Sequence, residues 1–223
     1  MISYRFTLEN GTAFDIQVDR NRVYTPAIDQ AQHAGWTRLE FNRCDNCPLS
    51  DRSVKHCPAA VDMEKIARQF SRLSSYEKLK VEVVAPERTY ILNTDLQTVL
   101  RSLLGLVMAT SGCPILSQFR GLATFHLPCS TMDETLFRTV AAYLLKQYFL
   151  HKSGGSPDWD MEGLDRFYQA VQTVNQCLND RLAAASENDA NLNAIVSLTY
   201  VSMGVTYSLE DNLADLKKLF SSQ

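Results

Sequence analysis

The sequence predicts an α+β fold: an N-terminal antiparallel sheet that carries a cysteine-rich knuckle, and a helical C-terminal half. Three observations lead there. Apolar residues alternate with polar ones at Ile2, Tyr4, Phe6 and Leu8, and again at Phe14, Ile16 and Val18. Val81, Val83 and Val84 put β-branched residues into a third such stretch. From Thr94 onward the apolar residues fall at helical spacing behind Ser/Thr-x-x-Glu/Gln caps. One domain over residues 1–223 is expected, with 1–93 mainly β plus one helix and 94–223 mainly α.

Taken in order, the first two stretches form a hairpin. A two-residue Asn10-Gly11 turn would set Phe6 opposite Asp15 and mix the two faces. A three-residue loop, Glu9 to Gly11, pairs Phe6 with Phe14 and Tyr4 with Ile16, with Gly11 in the left-handed position. Thr37 to Phe41 reads as a third strand leading into Cys44, and Lys78–Val84 with Arg88–Leu92 as a second hairpin. Pro58 opens a helix whose stripe is Met63, Ile66, Ala67, Phe70 and Leu73. Thr94-Asp95-Leu96-Gln97 caps a helix that ends at Gly112, and Cys113-Pro114 starts a short one. Thr131-Met132-Asp133-Glu134 caps a helix to about His151, followed by a glycine loop over 152–157. Further helices are expected over about 161–185 and 189–203, with a last one starting at Ser208. Asp160 is expected to cap the first of these, with Trp159 packed beside it as a staple.

Composition narrows the function classes. The chain has 223 residues, 45% hydrophobic and 21% charged, which excludes collagen-like and low-complexity architectures. A net charge of −3 argues against tracking a nucleic-acid duplex. No apolar run approaches the roughly 20 residues of a membrane span, and the start lacks a signal-peptide core. A cytoplasmic protein that binds neither nucleic acid nor membrane is therefore expected.

The six cysteines are the unusual feature. In a reducing compartment a cluster of them points to a metal or redox site rather than to disulfides. Cys44-x-x-Cys47 is the usual first half of a tetrahedral zinc site. Cys57, ahead of Pro58, sits where unpaired helical N–H groups favour a thiolate. Cys113 repeats that Cys-Pro geometry and is the fourth candidate ligand, ahead of His126 and of His56, which is next to Cys57. Cys129 and Cys177 read as ordinary buried thiols. Because Cys47, Cys57 and Cys113 each precede proline, an iron–sulfur cluster is the alternative cofactor. Reduced thiols at turns, without metal, are the plain alternative.

Other chemistry is weaker. Cys113 and His126 could form a nucleophile–base pair near Arg120, but no orienting third residue can be named. Asp158-Trp159-Asp160 reads as a helix start rather than a carboxylate pair. Phosphate-loop and dinucleotide fingerprints are absent. Tyr143, Tyr148, Phe149, Phe167 and Tyr168 read as core. Leu192, Ile195, Val196, Leu209, Leu213, Leu216 and Leu219 give the last helices wide apolar faces, for internal packing or else for a homodimer or other protein partner.

The strings Cys44-Asp45-Asn46-Cys47-Pro48-Leu49, Cys57-Pro58-Ala59-Ala60, Thr110-Ser111-Gly112-Cys113-Pro114, Phe125-His126-Leu127-Pro128 and Pro157-Asp158-Trp159-Asp160 resemble an uncharacterised bacterial family, a domain of unknown function. The resemblance runs from about residue 35 to the end. It implies a stand-alone cytosolic protein, with Cys44, Cys47, Cys57, Cys113 and His126 in the family pattern and Cys129 a departure from it. It carries no activity. The leading expectation is a non-catalytic binding or regulatory protein with a structural zinc on Cys44, Cys47, Cys57 and Cys113. The alternatives are an iron–sulfur or dithiol redox protein on the same cysteines, and an oligomeric helical scaffold without metal.

Overall fold

The computed structural model describes residues 1–22, 32–50, 52, 54–211 and 213–220. It is α+β. Strands β1 (Ile2–Leu8), β2 (Ala13–Val18), β3 (Lys78–Val84) and β4 (Thr89–Asp95) form one antiparallel sheet in the order β2-β1-β3-β4. The first hairpin has the expected register, Phe6 opposite Phe14 and Tyr4 opposite Ile16, with Gly11 at φ +83°. One face of the sheet is apolar: Ile2, Tyr4, Phe6, Leu79, Val81 and Val83 are all buried. On the other, exposed Arg5 lies between Asp15 and Glu82 at 3.2 Å each, its partners in register on the two neighbouring strands.

Helices cover the apolar face. α1 (Pro58–Phe70) begins with proline at its first turn and buries Met63, Ile66, Ala67 and Phe70. α2 (Leu96–Thr110) is the central helix, with Val99, Leu100, Leu103, Leu104 and Leu106 out of solvent. After Cys113 come a 3-10 turn (Leu116–Phe119) and a five-residue α3 (Arg120–Thr124). α4 (Met132–Lys152) opens on the expected capping box, with Thr131 and Glu134 bonded reciprocally. α5 (Glu162–Ala183) and α6 (Ala190–Glu210) pack along each other, and α6 also packs on α2. α7 is short (Ala214–Lys218). Leu136, Val140, Leu164, Tyr168, Val205 and Leu216 form a second, smaller core between α4, α5, α6 and α7.

Several expectations are corrected. Thr37 to Phe41 is not a strand. Gly35–Thr37 is a 3-10 turn, and the segment meets residues 55–57 through the Arg38–His56 bridge, Leu39 N–H to the Lys55 carbonyl, Cys57 N–H to the Thr37 carbonyl and the Thr37–His56 side-chain bond, not through a ladder. The carbonyls that would feed a sheet ladder here go to a buried arginine described below. β4 runs through Thr94, so the cap of α2 is Asp95, whose carboxylate accepts from Thr98 N–H at 2.9 Å. α2 ends at Thr110, ahead of Gly112. The expected break near Met203 is absent: Gly204 lies inside α6 because the Met132 side chain fills its Cβ position, with Cε 2.9 Å from where that atom would be. Ser208 therefore belongs to α6, and the last helix starts after Leu213, which itself has φ +54°.

At the start of α5 the bonded acid is Asp158, not Asp160. Its Oδ2 accepts from Tyr143 O–H and from Gly163 N–H, both at 2.7 Å, and Trp159 is exposed beside His151. Tyr148 and Phe149 are exposed as well, together with Phe137, Leu145 and Leu150 on the same helix, so α4 keeps an apolar outer face. Val196 and Leu219 are exposed too. α6 reaches the length and mean hydropathy of a membrane span, 1.2 over 18 residues, contrary to expectation, although here it packs on α2 and α5.

The position of the cap gives a test. Asp95→Ala should cost about 1 kcal/mol, a fall in Tm of about 2–4 °C for a chain of this size. Thr94→Ala should cost less. A larger loss at Thr94, read by thermal denaturation, would contradict the assignment.

Candidate thiol centre and a buried arginine

Four segments bring cysteines to one place. The first is the Cys44–Cys47 turn, closed by Cys47 N–H donating to the Cys44 carbonyl at 3.0 Å. It is docked on α5 by Asn46, whose Nδ2 donates to the Ala170 carbonyl at 2.9 Å. The second is Cys57, the N-cap of α1, as expected. The third is Cys113, buried after α2. The fourth is Cys177 on α5. Positions 170, 177 and 181 lie at heptad spacing on one helix face, so α5 presents the docking carbonyl, a thiol and Arg181 on the same side.

The expected thiols lie within electrostatic reach of one another: Cys44 interacts with Cys177 and feels Cys57 and Cys47. Cys113 feels Cys57 and Cys47. Cys177, read from the sequence as an ordinary thiol, is therefore part of the group. Its helical spacing to Arg181 was the available signal. All six cysteines are free thiols. Among the described residues, no three Cys, His, Asp or Glu side chains are set to hold a single ion as they stand.

Burial governs the charge state. Desolvation pushes Cys44 well above the ordinary thiol range and raises Cys113 to about 11. At Cys57 desolvation also wins, so the thiol is raised despite the opposing pull of Arg181 and of the Ala59 and Ala60 N–H groups at the helix start. The expectation that helix-start positions alone lower these thiols is thus corrected: the N–H groups are present, but the dry surroundings outweigh them.

Arg181 is 1% exposed. Its Nη1 donates to the carbonyls of Trp36 and Arg38 at 2.8 and 2.7 Å, and its Nη2 to that of Leu39 at 2.9 Å. Its Nε is buried without an acceptor, and among the described residues no carboxylate pairs with it. A buried cation without a counter-charge is expensive, and this one lies within reach of Cys57.

The histidines lie elsewhere. His56 Nδ1 is 2.8 Å from Thr37 Oγ1, and its ring stands edge-on to His33. His126 belongs to another network: its Nε2 is 2.5 Å from Tyr4 Oη, which is 2.9 Å from Ser102 Oγ. Burial drives His126 down to about 3, leaving a neutral ring. It is thus bonded to Tyr4, and no hydrogen bond joins it to Cys113 among the described residues, so the nucleophile–base pair, already the weaker reading, gains no support. Cys129 is more than an ordinary thiol: it has φ +52°, and its N–H donates to Ser102 Oγ.

A family model described as a domain of unknown function (DUF6901) matches residues 2–221. No curated protein and no solved structure matches the chain.

Burial of the thiols gives a pH dependence. An unfolded cysteine ionises near 9, and Cys113 in the fold only near 11. Between those values the folded chain holds a proton that the unfolded chain has released, so unfolding gains. The contribution is complete below about pH 9 and lost as pH rises toward 11. Urea midpoints of the reduced, chelator-treated protein should fall over that window, and the fall should be shallower in Cys113→Ala. Identical slopes would contradict the burial of this thiol.

Proposed function

We propose that the chain, which belongs to the DUF6901 family, is a non-catalytic binding or regulatory protein built around a thiolate metal centre. Zinc is the ion, held by Cys44, Cys47, Cys57 and Cys113, with Cys177 beside Cys44 as a fifth thiol. The observation that carries this reading is Arg181: a buried guanidinium with, among the described residues, no carboxylate partner and no acceptor for its Nε–H, whose field reaches Cys57. Neutral thiols leave that charge uncompensated. A zinc ion on four thiolates has a net charge of −2 and would supply the missing counter-charge. Binding would release the protons that burial now keeps on Cys44, Cys57 and Cys113.

Such a centre would join the turn after Thr37, the start of α1 and the segment after α2. Closing loops so far apart in sequence stabilises a fold by restricting the unfolded chain. That fits a structural role better than a catalytic one, because four protein ligands leave no open position for substrate.

A second reading, an iron–sulfur or dithiol redox protein on the same cysteines, draws support from one observation: Cys47, Cys57 and Cys113 each precede proline. The oligomeric scaffold has the exposed apolar side chains of α4 as its support.

Elemental analysis of anaerobically purified protein separates these readings. About one zinc per chain and no colour is the expected result, with zinc lost in Cys44→Ser and its affinity at least about tenfold weaker in Arg181→Met. Iron, sulfide and a brown colour would favour the cluster. A folded protein free of both metals would refute both.

A further inference from the structure

A second site lies away from the cysteines. A cavity of about 150 Å³ opens between α2, α4, α5 and α6, with Arg101, Arg138, His126, Asn175 and Ser202 among its lining. Its walls are otherwise largely aliphatic, including Leu106, Ala109, Leu122, Leu198 and Val201. We propose that this cavity binds a small aromatic carboxylate, a single six-membered ring bearing a carboxylate and a hydroxyl, with Arg101 and Arg138 holding the carboxylate and Asn175 accepting from the hydroxyl.

Size sets the body of the ligand. An apolar protein cavity of about 150 Å³ is large enough for benzene. Charge sets its sign. Neither Arg101 nor Arg138 forms an ion pair among the described residues. Arg101 Nη2 donates to the Ser130 carbonyl at 3.2 Å, and Arg138 Nη2 to those of Leu122 and Phe125 at 3.1 and 2.6 Å. Glu134 is the carboxylate whose field reaches Arg138, and its Oε2 accepts from Thr131 N–H at 2.8 Å. Each guanidinium has five N–H donors in a planar fork, and two forks over an apolar chamber suit a planar carboxylate.

Asn175 supplies an independent pointer. It is 1% exposed, its Nδ2 reaches Ser202 Oγ at 3.4 Å, and its Oδ1 has no partner among the described residues. A buried acceptor without a donor is costly, and a ligand hydroxyl would satisfy it. Another part of the wall is hydrogen-bonded throughout. Cys129 N–H donates to Ser102 Oγ, which lies 2.9 Å from Tyr4 Oη, itself 2.5 Å from Nε2 of the neutral His126. Cys129 is held at φ +52°, a conformation non-glycine residues rarely adopt and one that recurs at ligand sites.

Calorimetric titration of the full chain tests the proposal. 4-Hydroxybenzoate should bind saturably at one site per chain, and benzyl alcohol, which keeps the ring but loses the charge, at least about tenfold more weakly. Arg101→Gln should weaken 4-hydroxybenzoate by at least about tenfold. Gly105→Ala separates binding from folding: its new Cβ would meet only Leu198 Cδ2, at 3.5 Å, and alanine favours the helix. It should raise Tm while weakening the ligand. No saturable binding at millimolar 4-hydroxybenzoate, equal binding of benzyl alcohol, displacement by inorganic phosphate, or unchanged affinity in both variants would each overturn the proposal.

Discussion

The cysteine-bearing end of the molecule depends on one buried guanidinium. Arg181 collects the carbonyls of Trp36, Arg38 and Leu39, three groups that a short turn has no ladder to satisfy. That clasp fixes the path of the chain into Cys44 and, through the Thr37 carbonyl, the position of Cys57. The helix that carries Arg181 also carries Cys177 and the carbonyl that docks Asn46. Cys44, Cys47 and Cys57 are thus held by hydrogen bonds that lead back to α5, whether or not an ion is bound. The charge of Arg181 is what the surrounding thiols, as neutral groups, leave unanswered.

α2 links this end to the rest. Its buried residues pack against the apolar face of the sheet and against α6, its stretch from Arg101 to Ala109 lines the cavity, and its C-terminus leads to Cys113. Two chemically different sites therefore share one central helix. One is rich in sulfur and lies in the field of a cation that, among the described residues, has no counter-ion. The other is aliphatic, with two arginines that, among the described residues, donate to carbonyls and form no ion pair.

Much of the fold was legible in the sequence, because its elements follow local rules. Period-two alternation and the position of Gly11 set the first hairpin and its register. Pro58 and the Thr131–Glu134 box set two helix starts. The failures occurred where a partner distant in sequence decides. Thr37 to Phe41 has strand composition, but Arg181, more than 140 positions later, takes its carbonyls. Gly204 looks like a stop until Met132 is packed against it. Asp158 rather than Asp160 is bonded because Tyr143 lies one helix earlier. In the candidate site the Cys-x-x-Cys spacing and the Cys-Pro steps marked four thiols. Cys177 stayed hidden, since nothing near it in sequence resembles a ligand motif. The cavity could not be read at all, because it is assembled from five helices and a loop.

The proposal stands or falls on whether the sulfurs around Cys44 and Cys57 hold an ion, which X-ray absorption at the zinc edge of the purified protein reads directly. Four sulfurs at about 2.3 Å from the zinc are expected. A shell made only of oxygen and nitrogen at about 2.0–2.1 Å, as for zinc held adventitiously at surface histidines and carboxylates, would contradict it.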